Sequence, residues 1–136
     1  MRVSEIVRID SRGRVTLPSA LRESIGLSEG MYVMLIAEIE EKQVRIIPFA
    51  DPEAKLVEFH LAIRDAPGAL AKAASVLAEN NVDLLSTTSR TLKRGELAEW
   101  IVVADISKCK CKLMELREKI LDRKAAEKIE VKEIST

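Results

Sequence analysis

The chain has 136 residues, 22 Lys+Arg against 22 Asp+Glu, and 47% apolar residues. That excludes a disordered chain, which combines low hydrophobicity with high net charge, and it allows one ordinary domain or two small ones. The longest apolar run, Met31 to Ala37, is far short of the roughly 20 residues of a bilayer-spanning helix, and zero net charge argues against wholesale electrostatic binding to nucleic acid or lipid.

The N-terminus lacks the pattern of a secretory signal, and Cys109 and Cys111 are too few and too close for a disulfide framework. Both features lead to the expectation of a cytoplasmic protein without a membrane partner. Four aromatics, Tyr32, Phe49, Phe59 and Trp100, are too few for a base-stacking sheet.

In chain order, Val3 to Ile9 alternates weakly and predicts a strand. Asp10-Ser11-Arg12-Gly13 supplies turn chemistry, and Arg14 to Leu17 predicts a very short second strand. Pro18 suits a first helical position, Ser19 to Ile25 makes about two helical turns, and Gly26-Leu27 predicts a left-handed cap with its apolar follower. Met31 to Ile39 and Gln43 to Ile47 predict a hairpin around Glu40-Glu41-Lys42. Pro48 and Pro52 bracket a boundary. The first segment is below the size that usually buries a sufficient core, so a partner is expected.

Beyond the boundary, Val57, Phe59, Leu61 and Ile63 alternate with Glu58, His60, Ala62 and Arg64 as in a half-buried strand. Pro67 to Asn80 predicts a helix with Leu70, Ala73 and Leu77 on one face and Val76 beside them. Leu84 to Leu92 and Leu97 to Ile106 predict strands joined through Lys93-Arg94-Gly95-Glu96. Ser107 suits the cap of a last helix with a Cys109, Leu113, Leu116, Ile120 stripe, and Ile129, Val131 and Ile134 predict a final strand. The expected order is β-α-β-β-α-β, a ferredoxin-like split unit.

Charge is unevenly placed. Residues 1 to 27 hold Arg2, Arg8, Arg12, Arg14 and Arg22 against Glu5, Asp10 and Glu23, a surplus of two that the rest of the chain cancels. Arginine without lysine suits bidentate contact to phosphate or guanine edges, although a solvated strand face also fits these residues. The string Ile6 to Pro18, with Gly13-Arg14-Val15-Thr16-Leu17-Pro18 at its centre, then Leu21-Arg22 and Ile25-Gly26-Leu27, closely resembles the AbrB/SpoVT-like swapped-hairpin family over about residues 3 to 48. The resemblance implies a dimer whose hairpins interleave into one β-barrel and bind double-stranded DNA through Arg8, Arg14 and Arg22, with Arg12 as a further loop candidate. Two positions depart from the pattern: Glu23 stands where some members carry arginine, and Met31 follows Gly30 where Asp is common.

In the second half, Asp65-Ala66-Pro67-Gly68-Ala69-Leu70 joins strand to helix. Asp65 is placed to cap that helix, and Gly68 leaves N–H groups unshielded at its positive end, which suits a carboxylate. As chemistry alone, Asp-x-Pro-Gly reads first as an ordinary turn before a helix. Residues 56 to 134, with this loop and Asn81-Val82-Asp83-Leu84, resemble an ACT domain. The resemblance implies a paired module that binds an amino acid or similar small effector through the amides of the 65–70 loop. Asp65 and Asp83 would meet the ammonium group, although many amino-acid-binding members have Asn where Asp83 stands.

Cys109-x-Cys111 has no second Cys/His pair, and His60 is the lone histidine, so no metal site is expected. Lys108, Lys110 and Lys112 read as a solvated face. No carboxylate pair, nucleophile motif or phosphate loop is found, so neither an enzyme nor a cofactor is expected. The expectation is an α+β chain: residues 1–49 a swapped-hairpin module, 50–55 a linker, 56–136 an ACT-like module. It would act as a ligand-responsive transcriptional regulator, a homodimer or a tetramer formed through ACT pairing. The alternatives are an antitoxin, whose kind usually ends in a pliable tail, and an ACT-type regulatory subunit of an amino-acid-metabolising enzyme.

Overall fold

The structure, a computed structural model, describes residues 1–134. Ser135 and Thr136, which the expected second module includes, lie outside the described residues. The chain is α+β, with three helices and two antiparallel sheets among the described residues, and it divides into two compact units at Pro52/Glu53. No helix among the described residues is long and apolar enough to cross a membrane.

The first unit holds α1 (Ser19–Ile25) and a hairpin of β1 (Tyr32–Glu38) and β2 (Gln43–Ala50). Gly26 at φ 74 closes α1 in the left-handed region, and Leu27 N–H reaches back to the Arg22 carbonyl at 2.8 Å. Pro18 is the residue before the helix rather than its first turn. β2 runs through Pro48, which the boundary reading had excluded. Pro48 pairs with Val33 beside a register shift, an irregularity where a residue lacking an N–H is tolerated.

The two strands expected at 3–9 and 14–17 do not form within this chain. A strand is defined by a hydrogen-bonded neighbour, and the backbone pairing here is limited to Asp10 N–H with Arg14 O and Gly13 N–H with Asp10 O, both 3.0 Å, which close a turn. No residue of Met1–Pro52 is buried. Ile6, Ile9, Leu35, Ile39 and Val44 are all well exposed.

The second unit carries β3 (Leu56–Arg64), α2 (Ala69–Glu79), β4 (Asp83–Lys93), β5 (Leu97–Asp105), α3 (Leu113–Asp122) and β6 (Lys128–Glu133). Its sheet has the order β4-β5-β3-β6, so β5 lies between the parallel strands β3 and β4, and β3 between β5 and β6. Val57, Phe59, Leu61 and Ile63 sit opposite Ala104, Val102, Trp100 and Ala98 and bury one face. Ala73, Val76 and Leu77 of α2 and Leu116 and Ile120 of α3 belong to the same core. Each fully buried large side chain stabilises by about 1.5–3 kcal/mol.

Two helix expectations need correction. α2 begins after Gly68, whose φ of 84 sets the turn, and Leu70 remains 39% exposed while Ala73, Val76 and Leu77 carry the packing. α3 begins at Leu113, not at Ser107. A helix from Ser107 would hold Lys108, Lys110 and Lys112 at the positive end of its dipole; the observed start leaves Lys108 and Lys110 outside it and puts Glu115 in the first turn. Ser107 donates its backbone N–H to Asp105 Oδ1 at 2.9 Å, and Cys109 lies in the preceding loop, partly buried against the core.

Candidate functional sites

The first candidate site is the arginine segment. Asp10 organises it: its Oδ1 accepts the backbone N–H of Arg12 at 2.8 Å and of Arg14 at 3.0 Å, and its Oδ2 accepts Arg14 Nε at 2.8 Å. Gly13, at φ 77, supplies the backbone conformation that lets the chain turn back onto this carboxylate. Arg22 is tethered similarly, through Nε to the Leu17 carbonyl at 3.1 Å. A guanidinium held by Nε keeps both terminal nitrogens free for a bidentate contact. Arg8, Arg12, Arg14 and Arg22 are all exposed. From sequence alone Asp10 is turn chemistry and one charge against the arginines; in the structure it also holds the Arg14 guanidinium and the backbone N–H groups of Arg12 and Arg14. Over the whole unit the basic surplus disappears, because Glu29, Glu38, Glu40, Glu41 and Asp51 outnumber Lys42 and Arg45. The basic character is local to the arginine segment.

Hydrogen bonds from the Arg14 backbone and side chain and from the Arg12 backbone hold the Asp10 carboxyl below its ordinary value. A lowered folded-state value means that the carboxylate's contribution to the turn is complete above the ordinary Asp range and is lost as pH falls through the lowered value. In an NMR titration, the Arg12 and Arg14 amide signals should therefore titrate with a midpoint below the ordinary Asp value. They should move together with Asp10; amides that shift with an ordinary carboxylate midpoint would contradict this geometry.

The second candidate site is the 65–70 loop, and the structure divides its residues. Ala66, Pro67, Gly68 and Ala69 line a groove of about 970 Å³ with Arg64, Lys72, Lys124 and Glu127. Asp65 and Leu70 line a smaller hollow of about 300 Å³ with Ser89, Arg90 and Thr91, and Arg64 and Ala66 border both. Asp65 does not cap α2. Its Oδ2 accepts the Gly95 N–H at 2.6 Å, so the carboxylate ties this loop to the β4–β5 turn.

Asp83 is not part of the same site within one chain. It is the first residue of β4, opposite Asp105, which in turn pairs with Leu56 at the start of β3; Asp65 follows the other end of β3. About nine residues of strand, roughly 30 Å, separate the two carboxylates. Their shared spacing from α2 in sequence hid this, because the helix carries the chain back along the sheet.

Asn80 is a buried amide that the sequence did not single out. Its Nδ2 donates to the Val76 carbonyl at 2.7 Å, and its Oδ1 accepts Lys119 Nζ at 3.0 Å, joining α2 to α3. Cys109 and Cys111 have sulfurs 3.9 Å apart, and burial with the neighbouring Cys109 pushes the Cys111 thiol up, away from thiolate chemistry. Among the described residues no cluster of His, Cys, Asp and Glu could hold a metal ion.

A scan against protein-family models finds no match, and a search of curated proteins also finds none.

Proposed function

We propose that the chain is a DNA-binding transcriptional regulator. Two copies interleave their first units into a swapped-hairpin barrel, and an ACT-like second unit binds a small effector. The observation that carries this reading is that Met1–Pro52 buries no residue, while Ile6, Ile9, Leu35, Ile39 and Val44 are exposed together with its arginines. Val33, Leu35 and Val44 lie on one face of a two-stranded hairpin, an arrangement with little stability in water by itself. A second copy of the same sequence would give residues 3–9 and 14–17 the strand neighbours they lack and would cover that face. It would also double the local arginine surplus.

The second unit supports the sensing half. Its element order and its β4-β5-β3-β6 sheet are those of the ferredoxin-like split unit, and a groove of about 970 Å³ lies on the strand-to-helix loop. An effector would alter DNA affinity only by binding one DNA-competent arrangement better than another.

Sedimentation equilibrium of the full chain should give a dimer or tetramer. Leu35→Asp should shift it toward monomer and abolish retardation of duplex DNA, while the near-ultraviolet signal of Trp100 in the second unit stays unchanged. A monomeric wild type that binds duplex DNA would overturn the interleaved arrangement.

A further inference from the structure

We infer that the groove beside the 65–70 loop takes a small effector bearing at least two negative charges. This rests on the reading of that loop as the ligand site of the second unit and names the class of ligand. Arg64 from the end of β3, Lys72 from α2 and Lys124 after α3 line the groove against one acid, Glu127. The ion pairs among the described residues engage other cations: Arg14 with Asp10, Arg45 with Glu38, Arg90 with Glu99, Lys93 with Glu96, Arg123 with Glu79 and Lys128 with Glu130. Among the described residues, none of the three groove cations takes part in an ion pair or a side-chain hydrogen bond.

Like charges gathered round one concavity repel, and a bound anion relieves that repulsion. The volume, about 970 Å³, is that of a small-molecule site. A neutral amino acid would suit it less well. The carboxylate nearest in sequence, Asp65, is committed to Gly95 and lies outside the groove lining. Dicarboxylates and phosphate monoesters share the required chemistry. Glutamate and aspartate also qualify, with Glu127 left for their ammonium group.

The test is isothermal titration calorimetry of the full chain, without DNA, using citrate, L-glutamate and glycerol 3-phosphate against L-leucine and L-lysine. At least one of the three anions should bind, more weakly as salt is raised, and more tightly than leucine or lysine. The relative affinities separate a carboxylate ligand from a phosphate one. Lys72→Gln and Lys124→Gln should each weaken binding about tenfold, the usual loss for one charge-assisted contact, with the ligand-free melting temperature unchanged. Tighter binding of leucine or lysine, no binding of any anion, or unchanged affinity in both variants would overturn the proposal. DNA retardation measured on the same preparation separates the two readings. Anion binding without DNA binding would remove the regulator and leave the groove assignment standing.

Discussion

Replacing Arg8, Arg14 and Arg22 together by alanine should reduce affinity for duplex DNA on the order of 10³-fold or more at moderate salt. Each chain of a dimer would lose three phosphate- or base-directed guanidinium groups. At about 0.9 per phosphate, the slope of log affinity against log salt should flatten by roughly five. The three positions are exposed, and none contributes to a buried core, so the variant should keep its oligomeric state. Arg14→Ala also removes the side-chain bond to Asp10, but Asp10 keeps the backbone N–H groups of Arg12 and Arg14 and thus the turn. Fluorescence anisotropy with a labelled duplex measures both affinity and slope. A triple variant that binds like the wild type would mean that the DNA surface lies elsewhere.

Phe59→Ala should lower the stability of the second unit by about 3–5 kcal/mol, a large share of the 5–15 kcal/mol that holds a typical domain. Phe59 is 1% exposed and stands on the central strand β3, with Val102 opposite on one side and Val131 on the other. Both helices pack onto the same buried core, so the vacated volume has no simple route to collapse. The melting temperature of this unit should fall on the order of 15–30 °C, followed by the near-ultraviolet signal of Trp100. The exposed substitution Met114→Ala serves as the comparison and should change stability by less than about 0.5 kcal/mol. A fall of only a few degrees in Phe59→Ala would contradict the core described for this sheet.

The second unit was largely legible because its information is local. Val57, Phe59, Leu61 and Ile63 alternate strictly, and Gly95 marks a turn between two segments rich in strand-forming residues, so the strands follow from side-chain period and turn chemistry. Gly26 marked the end of α1 for the same reason. What the sequence hid is set by distant or electrostatic partners. The start of α3 depends on where three lysines may sit relative to a helix dipole. The role of Asp65 depends on Gly95, thirty residues away. The separation of Asp65 from Asp83 depends on strand direction, which no spacing encodes. The missing strands of residues 3–9 and 14–17 are a case of another kind: their periodicity is present, but a ladder also needs a neighbour, and none is supplied by the described residues.

Zero net charge looked unfavourable to DNA binding, yet it is a sum over regions with different signs. Five arginines against three acids in the first 27 residues are offset by acidic residues that follow. The turn built on Asp10 and the Nε tethers of Arg14 and Arg22 make that small surplus directional. Geometry and pairing of two chains would therefore supply what bulk charge does not.

The most direct measurement is the affinity of the intact wild-type chain for a labelled duplex across a series of salt concentrations. Binding by a dimer or larger assembly should weaken steeply with salt, with a log–log slope corresponding to several released counterions. Absence of binding at low salt, or binding that salt does not weaken, would contradict the proposed function.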